Sequence, residues 1–318
     1  MLITSLQEPM EDTPHPRPVS PPDFPELHDI DAFNKRLKAA FDRVSKIRPY
    51  KMESLGQVGG RDIFLLSPEA PIEGKPNVLT AGGFHGEEAG GPWGIIEFLE
   101  TADEETLKSV NHSFLPLVNP TGFERGVRFN IHGENPNRGF VAEYIDGAEE
   151  EDAEWTNRGP SAEGKILLKH GAKLVSLARD GFVSQHEDDG LNEGFIFINE
   201  QGPMPSPTAT ALLNTIKKHF PLIPDGGKNE LEGSPIKDGM WVNGMDSSFE
   251  TWMLNQGVPR TITTETPALE PARSRVDCNR EMVKAFADVT AEIYAKPPET
   301  GPKKGPALIK KKDRGPQP

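Results

Sequence analysis

The clearest periodicity lies at residues 31–48, where Phe33, Leu37, Phe41 and Val44 recur every three or four positions. That spacing puts them on one face of a helix, and Asp29 or Asp31 is placed to cap it. Residues 51–58 and 61–66 read as strands joined at Gly59-Gly60, a hairpin signal. Residues 77–80 form an apolar strand running into Ala81-Gly82-Gly83, and a helical pattern follows at 92–99. Another apolar strand at 113–118 ends in the turn signal Asn119-Pro120-Thr121-Gly122. Downstream, 165–178, 209–219 and 276–294 read as helices, and 181–184, 194–198 and 260–264 as strands. Strands alternating with helices predict an α/β fold: a single domain with a mixed, mostly parallel sheet flanked by helices.

Composition trims this picture at both ends. Residues 1–28 hold seven prolines and little apolar periodicity, and 297–318 hold six more with the run Lys310-Lys311-Lys312. Both read as disordered tails, leaving 29–296 as the folded domain. Residues 146–154 form an acidic run that reads as a solvated loop. The 318-residue chain carries 49 acidic and 35 basic side chains, a formal charge of −14. This argues against general nucleic-acid binding, and the basic C-terminal tail reads as solvated chain. Cys278 is the single cysteine, which excludes an internal disulfide and a cysteine-based zinc cluster. No run approaches the ~18–20 apolar residues of a membrane helix. The opening Met-Leu-Ile-Thr-Ser-Leu lacks the basic start of a signal peptide. The expectation is a cytoplasmic protein without membrane contact.

Four segments carry candidate chemistry. In Gly83-Phe84-His85-Gly86-Glu87-Glu88, a histidine and a glutamate three residues apart leave a strand and can face one metal ion. In Phe182–Asp189 a strand ends at His186, followed by Glu187, Asp188 and Asp189. Ligands of open α/β sheets collect at the carboxyl ends of strands, so His186 can join His85 and Glu88. Two histidines, a glutamate and a water make an open zinc site, the ligand set of carboxypeptidase A. In Thr263-Thr264-Glu265-Thr266-Pro267, Glu265 ends a β-branched strand and can act as a general base. Between 119 and 140 lie Arg128 and Arg138, whose guanidinium forks suit a carboxylate and a developing oxyanion. Taken singly, each has an ordinary reading: a surface turn, a core histidine, a solvent-exposed strand end, surface ion pairs.

Taken in order, His85 with Glu88, the Asn-Pro-x-Gly-Phe turn at 119–123, Arg128, Asn137-Arg138, His186 and Glu265 resemble the zinc carboxypeptidase family. The resemblance spans roughly residues 50–295. It implies one zinc per chain, held by His85, Glu88 and His186. It implies Glu265 as the general base and then the proton donor to the leaving amine, and Arg128 at the oxyanion. Asn137 and Arg138 would grip the substrate's terminal carboxylate. The implied activity is a metallocarboxypeptidase or peptide amidase cleaving an amide beside a free carboxylate.

Two departures stand out. The family aspartate that backs a zinc histidine falls on Asn135. The family's mobile tyrosine has no counterpart around 240–250, and the chain's tyrosines are Tyr50, Tyr144 and Tyr294. The missing tyrosine, with the compact loops and the lack of a secretion signal, looks closer to murein-peptide amidases or to deacylases of the succinylglutamate desuccinylase/aspartoacylase type. An N-acyl-amino-acid deacylase is therefore the alternative activity, and a non-catalytic binding protein the third. The substrate is a peptide or acyl-amino acid with a free carboxylate. Phe249 is a candidate wall for an apolar specificity pocket, whereas Glu187, Asp188, Asp189 and Asp246 would favour a basic end. Oligomeric state is left open.

Overall fold

The computed structural model describes residues 21–144, 159–225, 230–231, 234–242 and 244–295. The acidic run at 146–154, most of the expected N-terminal tail and the C-terminal tail lie outside the described residues.

The helices are α1 (Ile30–Ile47), α2 (Gly90–Thr101), α3 (Glu104–Ser109), α4 (Pro120–Arg125), α5 (Ala162–Lys169), α6 (Gly171–Leu177), α7 (Pro207–Ile216), α8 (Phe249–Asn255) and α9 (Ala272–Ala295). The strands are β1 (Tyr50–Val58), β2 (Arg61–Pro68), β3 (Asn77–Gly82), β4 (Asn111–Leu115), β5 (Gly181–Asp188), β6 (Phe195–Glu200), β7 (Glu230–Leu231), β8 (Ser234–Pro235), β9 (Met240–Val242) and β10 (Arg260–Pro267). Eight strands form one sheet in the order β1-β2-β4-β3-β5-β10-β6-β9, with β7 and β8 paired as a separate two-stranded sheet. The β3–β4, β3–β5, β5–β10 and β6–β9 ladders are parallel, and β1–β2, β2–β4 and β6–β10 are antiparallel. The sheet is therefore mixed and mostly parallel, as expected.

Alternation along the central strands supplies both faces. Val78, Val183, Ile198 and Ile262 pack with α7 and α9. Leu79, Ala81, Leu115 and Phe182 pack with Leu167, Leu174, Phe249 and Met253 of α5, α6 and α8. A further cluster joins α1, α2 and α9 through Phe33, Leu37, Trp93, Ile96, Val276 and Val283.

Local chemistry explains most boundaries. Asp29 caps α1 by accepting the N–H groups of Asp31 and Ala32. Gly59 and Gly60 take φ of +54° and +75°, the left-handed pair that a tight hairpin needs. Three details differ from the sequence expectation. Residues 21–28 are not all tail: Phe24 and Leu27 are buried, and the Leu27 carbonyl accepts the Trp93 indole N–H at 2.8 Å. The Asn119-Pro120-Thr121-Gly122 signal starts a helix rather than a bare turn. The Asn119 side chain accepts the Gly122 N–H at 2.8 Å, and proline suits the first helical position. The helix expected over 165–178 is two helices meeting at His170, whose ring Nε2 lies 3.0 Å from the Leu55 carbonyl of β1.

Candidate metal centre and its surroundings

The centre forms where β3, β5 and β10 end side by side. After β3 the chain turns through Gly83, at φ +65°, places His85 and Glu88, and enters α2. Gly86 has no room for a side chain: a Cβ there would lie 2.0 Å from the backbone of Gly122. That close approach seats the His85 loop against α4. On β5, Phe182, Ser184 and His186 share one face, while Val183, Gln185 and Glu187 point to the α9 side. On β10, Glu265 stands in register with His186 of β5, so their side chains share a face on neighbouring parallel strands.

His85, Glu88 and His186 are all buried, and their ligand atoms lie within 4.8 Å of one another. His85 Nδ1 lies 2.7 Å from Glu88 Oε1, and His186 Nδ1 lies 2.8 Å from Glu88 Oε2. The outer nitrogens also face acceptors. His85 Nε2 is 3.2 Å from Asn135 Oδ1, and that oxygen also accepts the Asn137 N–H at 3.0 Å, which fixes the amide's orientation. His186 Nε2 lies 3.6 Å from Glu250 Oε1. A neutral imidazole has one N–H and one lone pair. With the N–H directed outward, each Nδ1 presents a lone pair toward a carboxylate, an arrangement satisfied by a cation between them. The donor set of two imidazoles and a carboxylate in a buried cleft fits a divalent metal, zinc in particular.

Proton affinities within the centre diverge. Burial and the nearby Arg128 hold His85 down at about 4, despite Glu88. His186 is as deeply buried, yet Glu88 and Glu250 together hold it well above its ordinary value. Burial opposes charge on Glu250, but the facing His186 ring outweighs it and holds the carboxyl down at about 2. Burial and the like charges of Glu88 and Asp188 push Glu265 well above the usual carboxylate range, against the pull of His186 and Arg128. Glu87 is likewise pushed up to about 7 by burial and by Glu88.

The two expected arginines have different neighbours. Arg128 Nη1 is 3.3 Å from Glu88 Oε1 and 3.4 Å from Glu87 Oε1. Its carbonyl accepts the Asn119 side-chain amide at 3.1 Å. Arg138 Nη1 donates to the Asn137 carbonyl at 2.9 Å, and Nη2 pairs with Asp246 Oδ2 at 3.4 Å. Asn137 is turned to a different task from the expected one. Its Oδ1 accepts the Phe249 N–H at 3.0 Å and its Nδ2 donates to Glu250 Oε2 at 3.1 Å. Phe249 does not line an open pocket. It is 0% exposed, with its ring packed among Phe84, Phe140, Phe182 and Trp252. Glu187 lies on the α9 side of the sheet, where Arg275 Nη1 pairs with it at 2.7 Å, so it cannot select a substrate. Tyr50 and Tyr294 are engaged elsewhere, with the His112 carbonyl and the Asp180 carboxylate.

Sequence reasoning missed Glu250. It lies 64 residues beyond His186 in a segment with no metal-type spacing, and only the packing of α8 brings it in.

No protein-family model matches the sequence, and no curated protein matches it. Solved structures do. A predicted metallopeptidase from Shewanella baltica OS155 is 38% identical, with a TM-score of 0.73, over 82% of this chain and 92% of that one. Its counterpart from Shewanella amazonensis SB2B is 35% identical, with a TM-score of 0.73, over 82% and 93%. At the level of fold alone, a metallo-carboxypeptidase from Burkholderia cenocepacia aligns at 18% identity over 81% and 69%, with a TM-score of 0.55. Bovine thrombin-activatable fibrinolysis inhibitor aligns at 13% identity over 84% and 97%, with a TM-score of 0.62. Given this likeness, the chain belongs to the family of these metallopeptidases, and its fold is the one the carboxypeptidases share.

Proposed function

We propose that the protein is a zinc-dependent hydrolase of an amide bond adjacent to a free carboxylate, acting as a carboxypeptidase or peptide amidase. The observation that carries this is the placing of Glu265 in register beside His186, at the edge of a buried His85–Glu88–His186 cluster. His85, Glu88 and His186 would hold the zinc, which would supply a Lewis acid for the scissile carbonyl and lower the pKa of water. The remaining work belongs to the chain. Glu265, whose proton affinity is raised, takes a proton from the attacking water and returns it to the departing nitrogen. Arg128, beside Glu88, meets the negative charge that develops on the carbonyl oxygen. Arg138, a quarter exposed, takes the substrate carboxylate in place of Asp246.

The test is hydrolysis by zinc-quantified protein of peptides with apolar, basic and γ-glutamyl-diaminopimelate ends, beside acyl-amino acids. Release of a single terminal residue or amide fragment is expected, lost with chelator. In Glu265→Gln the rate should fall by ~10²–10⁴ with zinc retained. Turnover of acyl-amino acids with none of peptides would replace this reading with the deacylase. Unchanged turnover in Glu265→Gln would remove Glu265 from the chemistry.

A further inference from the structure

We propose that Glu250 is the carboxylate that orients His186 as a metal ligand, and that Asn137 is the strut holding Glu250 in place. The inference deepens the metal-centre reading and rests on it. It gives the two histidines unlike partners: a neutral amide, Asn135, behind His85, and a carboxylate behind His186.

Three observations carry it. Glu250 is buried in the first turn of α8, and among the described residues its Oε1 has no hydrogen-bond partner. His186 Nε2, also buried, has none either. These two orphaned atoms face each other at 3.6 Å, and buried polar atoms are rarely left unpaired. The gap is slightly beyond hydrogen-bond length, and a ring shift of about 0.5 Å closes it. The other oxygen of Glu250 is already fixed, since Oε2 accepts Asn137 Nδ2 at 3.1 Å. Asn137 itself cannot flip, because its Oδ1 accepts the Phe249 N–H at 3.0 Å. Its backbone N–H in turn donates to Asn135 Oδ1, the acceptor that faces His85. One short segment, Asn135 to Asn137, thus reaches the outer nitrogens of both histidines, directly at His85 and through Glu250 at His186.

The physical consequence is specific. An acceptor on Nε2 holds the proton there and leaves Nδ1 for the metal. A carboxylate acceptor also raises the ring's basicity, which an amide does far less. Glu250 is a positioning residue, so its removal is read in metal binding before it is read in rate.

The experiment measures zinc and cobalt(II) affinity by chelator competition, and the cobalt(II) absorption spectrum. The proteins are wild type, Glu250→Gln, Asn137→Ser and the double variant Glu250→Gln/Asn135→Asp. Glu250→Gln should lose ~10–100-fold in metal affinity and shift the cobalt bands. Asn137→Ser, which releases Glu250 but keeps its charge, should lose less, and it serves the same purpose if Glu250→Gln does not fold. The double variant moves the carboxylate from one histidine to the other and should recover most of the lost affinity. Wild-type affinity and an unshifted spectrum in both single variants would overturn the proposal. Absence of metal binding by the wild type would instead overturn the metal centre itself.

Discussion

The α2 helix begins two residues after Glu88 with no cap of its own: Ala89 stands at the capping position and makes no side-chain bond. Glu187 of β5 supplies the cap from across the fold, accepting the Gly90 N–H at 3.0 Å. The same carboxylate accepts the Thr266 hydroxyl of β10 at 3.3 Å and pairs with Arg275 of α9 at 2.7 Å. With side chains 0% and 8% exposed, Glu187 and Arg275 form a buried pair directly behind the metal-ligand loop. Glu187→Ala leaves the Arg275 guanidinium buried with the Glu270 carbonyl as a remaining acceptor, and uncaps α2. Breaking a buried pair from one side costs ~3–5 kcal/mol, a large part of a typical ~5–15 kcal/mol stability. Glu187→Gln keeps a neutral acceptor and should cost about 2 kcal/mol, close to the value of one charged hydrogen bond. Replacing both partners with methionine removes the buried charges together and should recover much of the loss. The assay is urea unfolding followed by tryptophan fluorescence, in chelator so that metal binding adds nothing to the folded state. A loss below about 1 kcal/mol in Glu187→Ala, or a double variant no better than the single ones, would refute the reasoning.

Three further outcomes are expected. Arg128→Ala should lower kcat by ~10²–10³ with little change in KM; a change confined to KM would make Arg128 a ground-state contact. Asp246→Asn should lower KM for carboxylate-bearing substrates and spare kcat, since it removes the anion that competes for Arg138; a raised KM would mean Asp246 itself binds substrate. Burial and Arg48 hold His112 down at about 3, so it stays neutral in the fold while the unfolded chain takes up a proton below pH ~6.5. Stability should therefore fall as pH drops from ~6.5 toward 3, by at most a few kcal/mol from this group. His112→Gln should flatten that limb in pH-dependent urea unfolding, and an unchanged slope would place the titration elsewhere.

Sequence alone was enough for whatever depends on neighbours along the chain. The apolar stripe at Phe33, Leu37, Phe41 and Val44 announces α1, because helical spacing is a local property. The order of His85, Glu88, Arg128, His186 and Glu265 carries the family resemblance that points to the candidate metal centre, and strand ends of an α/β sheet are where such groups can collect. Asn119-Pro120 also carried local information, since both residues favour a helix start as well as a turn.

Tertiary structure decided which face each side chain takes and what it meets there. One residue along β5 separates His186 in the centre from Glu187 in its buried pair, and only the sheet register says which is which. Phe249 is apolar enough for a pocket or a core, and the packing of α8 against Phe84, Phe140 and Phe182 assigns it to the core. Asn137 and Glu250 are 113 residues apart, and neither carries a local sign of the other. Their contact, and with it the setting of His186, comes from the docking of α8 onto the sheet. A local pattern can name the residues able to hold a metal. Which buried acceptors stand behind them depends on long-range packing, which no short window of sequence contains.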